Sequence, residues 1–234
     1  VIQEVITPST HHEMARLLAR CFHVALEAAR SDGRRAAIAL TGGASAQLYR
    51  ALRSANIDWR DVELFWSDER AVPPDHPDSN YRVAGELLLN HIAIAAANVH
   101  RMPTDDADLD GAAFRYERIL PPRIDLIHIG MGADGHVCSL FPDHVLLTER
   151  HRRVRAVEDA PKSPPRRLTL TLPALHAAHA IALTVIGAEK THAAHDVLEN
   201  PKSALPAALA ARGPTPMTVL LDLSAAAFIA PKRA

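Results

Sequence analysis

The sequence predicts an α/β fold: three αβα layers, Rossmann-like, with helices on both faces of a mainly parallel sheet. Three observations carry that expectation. Short, mostly apolar runs recur at residues 36–40, 62–66, 124–129, 180–186 and 218–223, long enough for strands and too short for helices. Segments with apolar spacing of three and four lie between them, and strands that alternate with helices pair in parallel. Glycines or charged residues follow most of the runs at once, as βα turns require.

Taken in order, the first element is a helix. Thr10 and Glu13 have the spacing of a capping box, in which hydroxyl and carboxylate each satisfy an orphan backbone donor. Met14, Leu17, Leu18, Cys21, Val24, Ala25 and Ala28 then give one apolar face, and Gly33 is a stop signal. The run 36–40 ends at Thr41-Gly42-Gly43 and leads into a helical stretch over 45–52. The strand at 62–66 runs into Ser67-Asp68-Glu69-Arg70, read as a loop. A proline-rich loop (Pro73, Pro74, Pro77) and a helix over 81–89 follow. A helix over 112–120 precedes the strand at 124–129, which ends in Gly130-Met131-Gly132-Ala133-Asp134-Gly135-His136. Residues 168–172 alternate strictly and 180–186 form a buried strand. Gly187 opens a helix over 190–198, and Pro216 precedes the last strand. Residues 143–166 carry no pattern that separates loop from strand.

Composition bounds the function. With 48% hydrophobic and 23% charged residues, 10 glycines and 17 prolines in 234, the chain is globular, not disordered, collagenous or coiled-coil. One unit spanning 1–234 is expected, since no repeat, low-complexity run or linker appears. A net charge of −1 argues against broad nucleic-acid binding. Cys21 and Cys138 lie far apart and form no CxxC pair, which suits a reducing cytoplasm. No apolar run is long enough to span a membrane, and no secretory signal opens the chain. Because the chain begins at Val1, at least a methionine is expected to precede it.

In open parallel sheets, ligands bind beyond the carboxyl ends of the strands. The unusual residues sit there: Thr41-Gly42-Gly43-Ala44-Ser45, Ser67 to Arg70, Gly130 to His136, and Gly187 to Lys190. Gly42 and Gly43 before a hydroxyl at a helix start suit an anion, although two glycines also make an ordinary tight turn. Asp68-Glu69-Arg70 offers two carboxylates and a guanidinium, either a surface ion pair or a fork for phosphate. Gly130, Gly132 and Gly135 satisfy G-x-G-x-x-G, but a dinucleotide fingerprint needs a long helix at its third glycine, and Pro142 follows too soon. The alternative is a loop wrapped around a small ligand, with His136 as general base and Asp134 fixing its tautomer. His136 stands out among 14 histidines only by that setting. Lys190 begins a helix, where the dipole disfavours a cation unless an anion lies nearby. The basic stretch 150–167 reads as a solvated loop from which one arginine could reach the site. His192 and His195 lack a third ligand at metal-site spacing.

Together these loops resemble the glucosamine-6-phosphate isomerase/6-phosphogluconolactonase family, over nearly the whole chain. The most specific match is Gly130-Met131-Gly132-Ala133-Asp134-Gly135-His136-Val137-Cys138-Ser139-Leu140-Phe141-Pro142. Ser67-Asp68-Glu69-Arg70 with Asp78-Ser79-Asn80-Tyr81, Pro164 to Thr169, and the step from Gly187 to Lys190 support it. The deaminase branch carries a glutamate five residues after the histidine and a tyrosine after the strand-end Asp-Glu; here those positions are Phe141 and Arg70, which favours the lactonase branch. The family's Gly-Gly-Ser-Thr-Pro loop is altered to Gly42-Gly43-Ala44-Ser45-Ala46, keeping a hydroxyl at Ser45.

The resemblance implies a fold like that of ribose-5-phosphate isomerase and glucosamine-6-phosphate deaminase. It implies hydrolysis of 6-phospho-D-glucono-1,5-lactone without cofactor or metal. His136, Asp134 and Asp68 would be catalytic, and Gly42, Gly43, Ser45, Arg70, Arg167 and Lys190 would hold the phosphate. The expected partner is a small phosphosugar lactone, with no nucleic acid or membrane, acting in the cytoplasm as a monomer or weak homo-oligomer. The alternatives are a deaminase-like isomerase and a non-catalytic sugar-phosphate sensor. The sensor would need a DNA-binding module, and residues 1–35 offer one long helix.

Overall fold

The computed structural model describes residues 1–229. Its strands are β1 (Ile2–Ile6), β2 (Ala36–Leu40), β3 (Val62–Trp66), β4 (Asp68–Arg70), β5 (Leu126–Gly130), β6 (Val154–Val157), β7 (Arg167–Leu170), β8 (Ala180–Val185) and β9 (Met217–Leu221). Six of them form a parallel sheet in the order β1-β9-β8-β5-β2-β3, and the others an antiparallel sheet in the order β4-β7-β6. The helices are α1 (His11–Ser31), α2 (Tyr49–Leu52), α3 (Asn80–Leu87), α4 (Leu109–Ile119), α5 (Leu172–Ala177), α6 (Thr191–Glu199) and α7 (Pro206–Ala211). The three-layer α/β expectation holds. The second sheet is what the sequence did not disclose.

The core explains the continuous apolar runs. All five residues of β2 are buried, as are Leu126, Ile127, His128 and Ile129 of β5. Strands covered on both faces lose the in-out alternation of a half-exposed sheet. Helix α1 crosses this sheet with Met14, Leu18 and Phe22 at 0% exposure, each contributing about 1.5–3 kcal/mol by burial.

Several elements depart from expectation for local reasons. Thr10 caps α1 as expected, its hydroxyl accepting the Glu13 N–H at 3.1 Å. The Glu13 carboxylate, however, reaches Ser9, which offers it both an N–H and a hydroxyl at 2.8 Å. The buried stripe of α1 keeps Met14, Leu18 and Ala25 of the expected face and adds Ala15, Ala19, Phe22, Leu26 and Ala29, while Leu17 and Cys21 are half-buried and Val24 is 60% exposed. The chain ahead of α1 forms β1, an edge strand bonded only to β9 and interrupted by a register shift between Ile2 and Glu4, so its alternation is broken.

Residues 68–70, expected to be a loop, form β4, whose partner lies far along the chain at 167–169. Ser67 joins the two sheets: its N–H donates to the Leu40 carbonyl and its own carbonyl accepts from the Leu170 N–H, both at 2.8 Å. The alternating segment 168–172 ends as a strand at Leu170, because Leu172 already opens α5 with Pro173 in its first turn.

Chain order positions the site. The path steps from β2 outward to β3, then returns to β5 on the other side of β2. That reversal is a topological switch point, where the loops after neighbouring strands part and leave a crevice.

Candidate active site

The loops following β2, β3, β5 and β8 close around a cavity of about 200 Å³ at this switch point. Gly42, Gly43, Ser45, Asp68, Arg70, His136, Arg167 and Lys190 all line it. Asp134, the remaining residue singled out from the sequence, stands directly behind His136.

The glycine-rich loop after β5 is a closed turn rather than the opening of a helix. The Gly132 N–H donates to the His136 carbonyl at 2.9 Å, and Met131 and Val137 pair across the turn. This geometry bears out the reading against a dinucleotide fingerprint. Residue 132 must be glycine, because a Cβ there would lie 2.0 Å from His136 Nδ1. The loop therefore presses its own backbone against the histidine ring, which also packs on the Phe141 ring, 4.7 Å between centroids.

His136 Nδ1 lies 2.5 Å from Asp134 Oδ1, and Lys162 Nζ binds the other carboxylate oxygen at 3.0 Å. A carboxylate accepts only, so Nδ1 carries the hydrogen and Nε2 keeps its lone pair. Burial lowers the His136 pKa and outweighs the opposing pull of Asp134, so the imidazole is neutral at pH 7. Burial alone would raise the Asp134 pKa, but the bonds and charges of His136 and Lys162 bring it down to about 2.

The other side of the cavity is built for negative charge. Arg70 and Arg167 stand directly opposite each other on β4 and β7. Like charges in that cross-strand relation are destabilising unless an anion lies between them. Neither has a carboxylate partner among the described residues. Arg167, 3% exposed, is held by the carbonyls of Pro164 and Lys162 at 2.8 and 2.9 Å. Burial and the charge of Arg70 lower its pKa, while Asp68 works in the opposite direction. Arg70 donates to the Asp78 carbonyl at 2.8 Å and keeps a buried Nε without a partner.

The helical turn after β2 (Gly43–Leu48) bonds residue i to i−3, so Gly43 and Ala44 have no acceptor for their N–H groups inside it. Both line the cavity beside Lys190, whose Nζ is 3.3 Å from Glu189.

The two carboxylates after β3 part company. Asp68 lines the cavity, accepting from Ser139 Oγ at 2.7 Å and from Asn80 Nδ2 at 3.2 Å. Glu69 turns away and accepts the N–H groups of Arg70, Asn80 and Tyr81 at 2.7–2.8 Å, anchoring the start of α3. The basic stretch is mostly structural: Arg152 pairs with Glu117, Arg155 with Glu149 and Arg166 with Glu158, leaving Arg167 as its cavity-lining arginine.

Sequence reading missed Lys162 behind the histidine and the Asn80 and Ser139 side chains that hold Asp68. Their signal was present in the Asp78–Tyr81 and Ser139 segments of the family motif, but not their bonds. Among the described residues, no three His, Cys, Asp or Glu side chains converge on a possible metal position. His192 packs edge-on against Phe228 instead. No helix among the described residues is long and apolar enough to cross a membrane.

Comparison with known proteins agrees with this architecture. The family model described as glucosamine-6-phosphate isomerases/6-phosphogluconolactonase matches residues 9–219. A 6-phosphogluconolactonase of Mycobacterium leprae is 41% identical over 211 residues, covering 83% of this chain and 85% of its own length. The solved 6-phosphogluconolactonase of Trypanosoma brucei has a TM-score of 0.83 at 26% identity, covering 97% of this chain and 98% of that one. A monomeric glucosamine-6-phosphate deaminase shares the fold, with a TM-score of 0.81 at 22% identity. The chain belongs to the glucosamine-6-phosphate isomerase/6-phosphogluconolactonase family.

Proposed function

We propose that the chain hydrolyses 6-phospho-D-glucono-1,5-lactone to 6-phospho-D-gluconate, the hydrolytic step of the oxidative pentose phosphate branch. One observation carries the reading: a neutral histidine with a free Nε2 shares a small cavity with two arginines that lack carboxylate partners. Such a cavity takes a compact substrate that has an electrophilic carbon at one end and a multiply charged anion at the other.

His136 Nε2 removes a proton from a water molecule as its oxygen bonds to the lactone carbonyl carbon. Asp134 steadies the imidazolium that results. When the tetrahedral intermediate collapses, the bond to the ring oxygen breaks, and that oxygen takes the proton from Nε2. A lactone is already an activated ester, so positioning and a general base worth about 10²–10⁴-fold account for the acceleration. Arg70, Arg167, Lys190, Ser45 and the N–H groups at Gly42 and Gly43 hold the phosphate, and Asp68 orders the sugar hydroxyls. The position of the deaminase glutamate is filled by the Phe141 ring, which lies against His136 and 5.5 Å from the Arg167 guanidinium. That contact leaves no carboxylate for amino-sugar ring opening.

The deciding measurement is a coupled assay on freshly generated lactone, corrected for spontaneous opening. No acceleration over the spontaneous rate would overturn the reading. Tight binding without turnover would instead make the chain a sensor, and ammonia release from glucosamine 6-phosphate would make it a deaminase. In this proposal the chain works in the cytoplasm as one unit, monomeric or weakly self-associating, which gel filtration against its 25.4 kDa mass tests.

A further inference from the structure

A second histidine lies beneath the site, and the reaction above does not use it. His128 is on β5, at 0% exposure in the middle of the parallel sheet. Its Nδ1 is 2.8 Å from the Tyr49 hydroxyl and its Nε2 is 3.0 Å from the Thr184 hydroxyl on β8. The Thr184 hydroxyl donates to Ser45 Oγ at 2.6 Å, and Ser45 lines the cavity. The Tyr49 hydroxyl accepts the Thr41 N–H at 2.8 Å. A continuous chain of bonds thus runs from one end of the glycine loop to the other through Tyr49, His128 and Thr184, each 0% exposed.

The chain has a direction. A threonine hydroxyl has a single hydrogen, and Thr184 gives it to Ser45. Thr184 must therefore accept from His128, so Nε2 carries the ring hydrogen. Burial lowers the His128 pKa to about 3, which leaves the ring neutral with one hydrogen only. Nδ1 is bare and accepts the single Tyr49 hydrogen at 2.8 Å, in preference to the more distant Thr41 carbonyl at 3.1 Å. Ser45, already accepting from Thr184, keeps its own hydrogen for another partner. Among the described residues its acceptor is the Thr184 carbonyl at 3.4 Å, a long bond. An anion in the cavity is the better acceptor. The reversed chain would turn the Ser45 hydrogen inward and face the anion with lone pairs. The approach of Ser45 depends on residue 130 lacking a side chain, since a Cβ there would lie 2.6 Å from Ser45 Oγ.

We propose that His128 is a positioning residue: held as its Nε2–H tautomer, it acts through Thr184 to aim the Ser45 hydroxyl hydrogen into the cavity, where it donates to the substrate phosphate. The inference rests on the sugar-phosphate reading of the cavity and assigns the buried network to phosphate affinity rather than to bond breaking.

Thr184→Val keeps the side-chain shape, removes the relay and alters no cavity-lining residue. It raises KM about tenfold with kcat within about twofold, as expected for one hydrogen bond to a charged group. Ser45→Ala gives the same rise, and the double variant rises no further than either single. An unchanged KM in Thr184→Val, or rises that multiply in the double variant, overturns the relay. A second measurement does not depend on any variant folding. Long-range ¹H–¹⁵N spectra of the labelled wild-type protein, with and without inorganic phosphate, show His128 protonated at Nε2 and bare at Nδ1. A hydrogen on Nδ1 in either state overturns the proposal. Absence of lactone hydrolysis by the wild type would strike the proposed function alone, because the tautomer is read with inorganic phosphate.

Discussion

The two rims of the parallel sheet hold similar side chains in opposite conditions. At the amino-terminal rim Asp125, 3% exposed, takes both terminal nitrogens of Arg34 at 2.6 and 2.7 Å and the Ala37 N–H at 2.8 Å. These two buried-rim charges answer each other from within the chain. At the carboxyl-terminal rim Arg70 and Arg167 face each other across two strands and meet carbonyls, not carboxylates. Larger hollows open at the first rim, about 690 Å³ between α1 and the sheet and about 780 Å³ beside Arg34 and Arg35, while the second rim encloses about 200 Å³. Size alone would choose the wrong end. Charge left without a partner marks the site, because the fold carries its electrostatic cost until a ligand offsets it.

The largest effect that tests this contrast belongs to His136→Ala. Losing the general base lowers kcat about 10³-fold and leaves KM within about threefold, measured under steady state with the spontaneous reaction subtracted. Equal turnover in wild type and variant would remove the histidine from the chemistry. Next come the arginines, where the rims separate cleanly. Arg70→Ala and Arg167→Ala each raise KM about 30-fold, the loss of a charge-assisted bond to phosphate, with a smaller change in kcat. Arg34→Met does the reverse: KM stays put while denaturant unfolding loses about 2 kcal/mol, a reduced cost because Arg34 is partly screened by water. A KM change in Arg34→Met would erase the distinction between the rims.

The pH profile gives a smaller and signed effect. The active form of His136 is neutral, so kcat/KM falls as pH drops through its pKa, and burial sets that limb lower than for an ordinary histidine. Asp134 pulls the pKa up and Lys162 pushes it down. Asp134→Asn therefore moves the acid limb to lower pH, and Lys162→Met moves it to higher pH. Movement of both limbs in one direction would break the assignment of these charges to His136.

How much of this was legible in the sequence differs between the sheets. The parallel sheet announced itself because strands buried on both faces are largely apolar, as 36–40 is throughout and 62–66 is apart from Glu63. The antiparallel sheet did not. β4 is Asp-Glu-Arg, with no apolar residue, and its strand character comes wholly from pairing with 167–169. The consequence was a blind spot at the site itself: the opposition of Arg70 and Arg167 follows from register, which no local pattern records. His136 and Asp134 were legible because both sit in one short loop. His128 read as one more strand residue, since its function depends on Tyr49, Thr184 and Ser45, which come from separate parts of the chain.

Lys190 gives the finest discrimination between the rims, because it combines features of both. It lines the cavity, yet its ammonium lies 3.3 Å from the Glu189 carboxylate, so its charge is partly answered within the chain. If unanswered charge is what binds the phosphate, Lys190 contributes less than either arginine, and Lys190→Met raises KM only about threefold. Removing its partner has the opposite sign. Glu189→Gln frees the ammonium and takes a negative charge from the cavity mouth, so KM falls about twofold at low ionic strength. Added salt shrinks that gain, since the pair is near solvent and its field is screened. A rise in KM for Glu189→Gln would mean that the glutamate steers the lysine toward the phosphate rather than competing for it, and the ranking of the cations by their unanswered charge would fail at its weakest member.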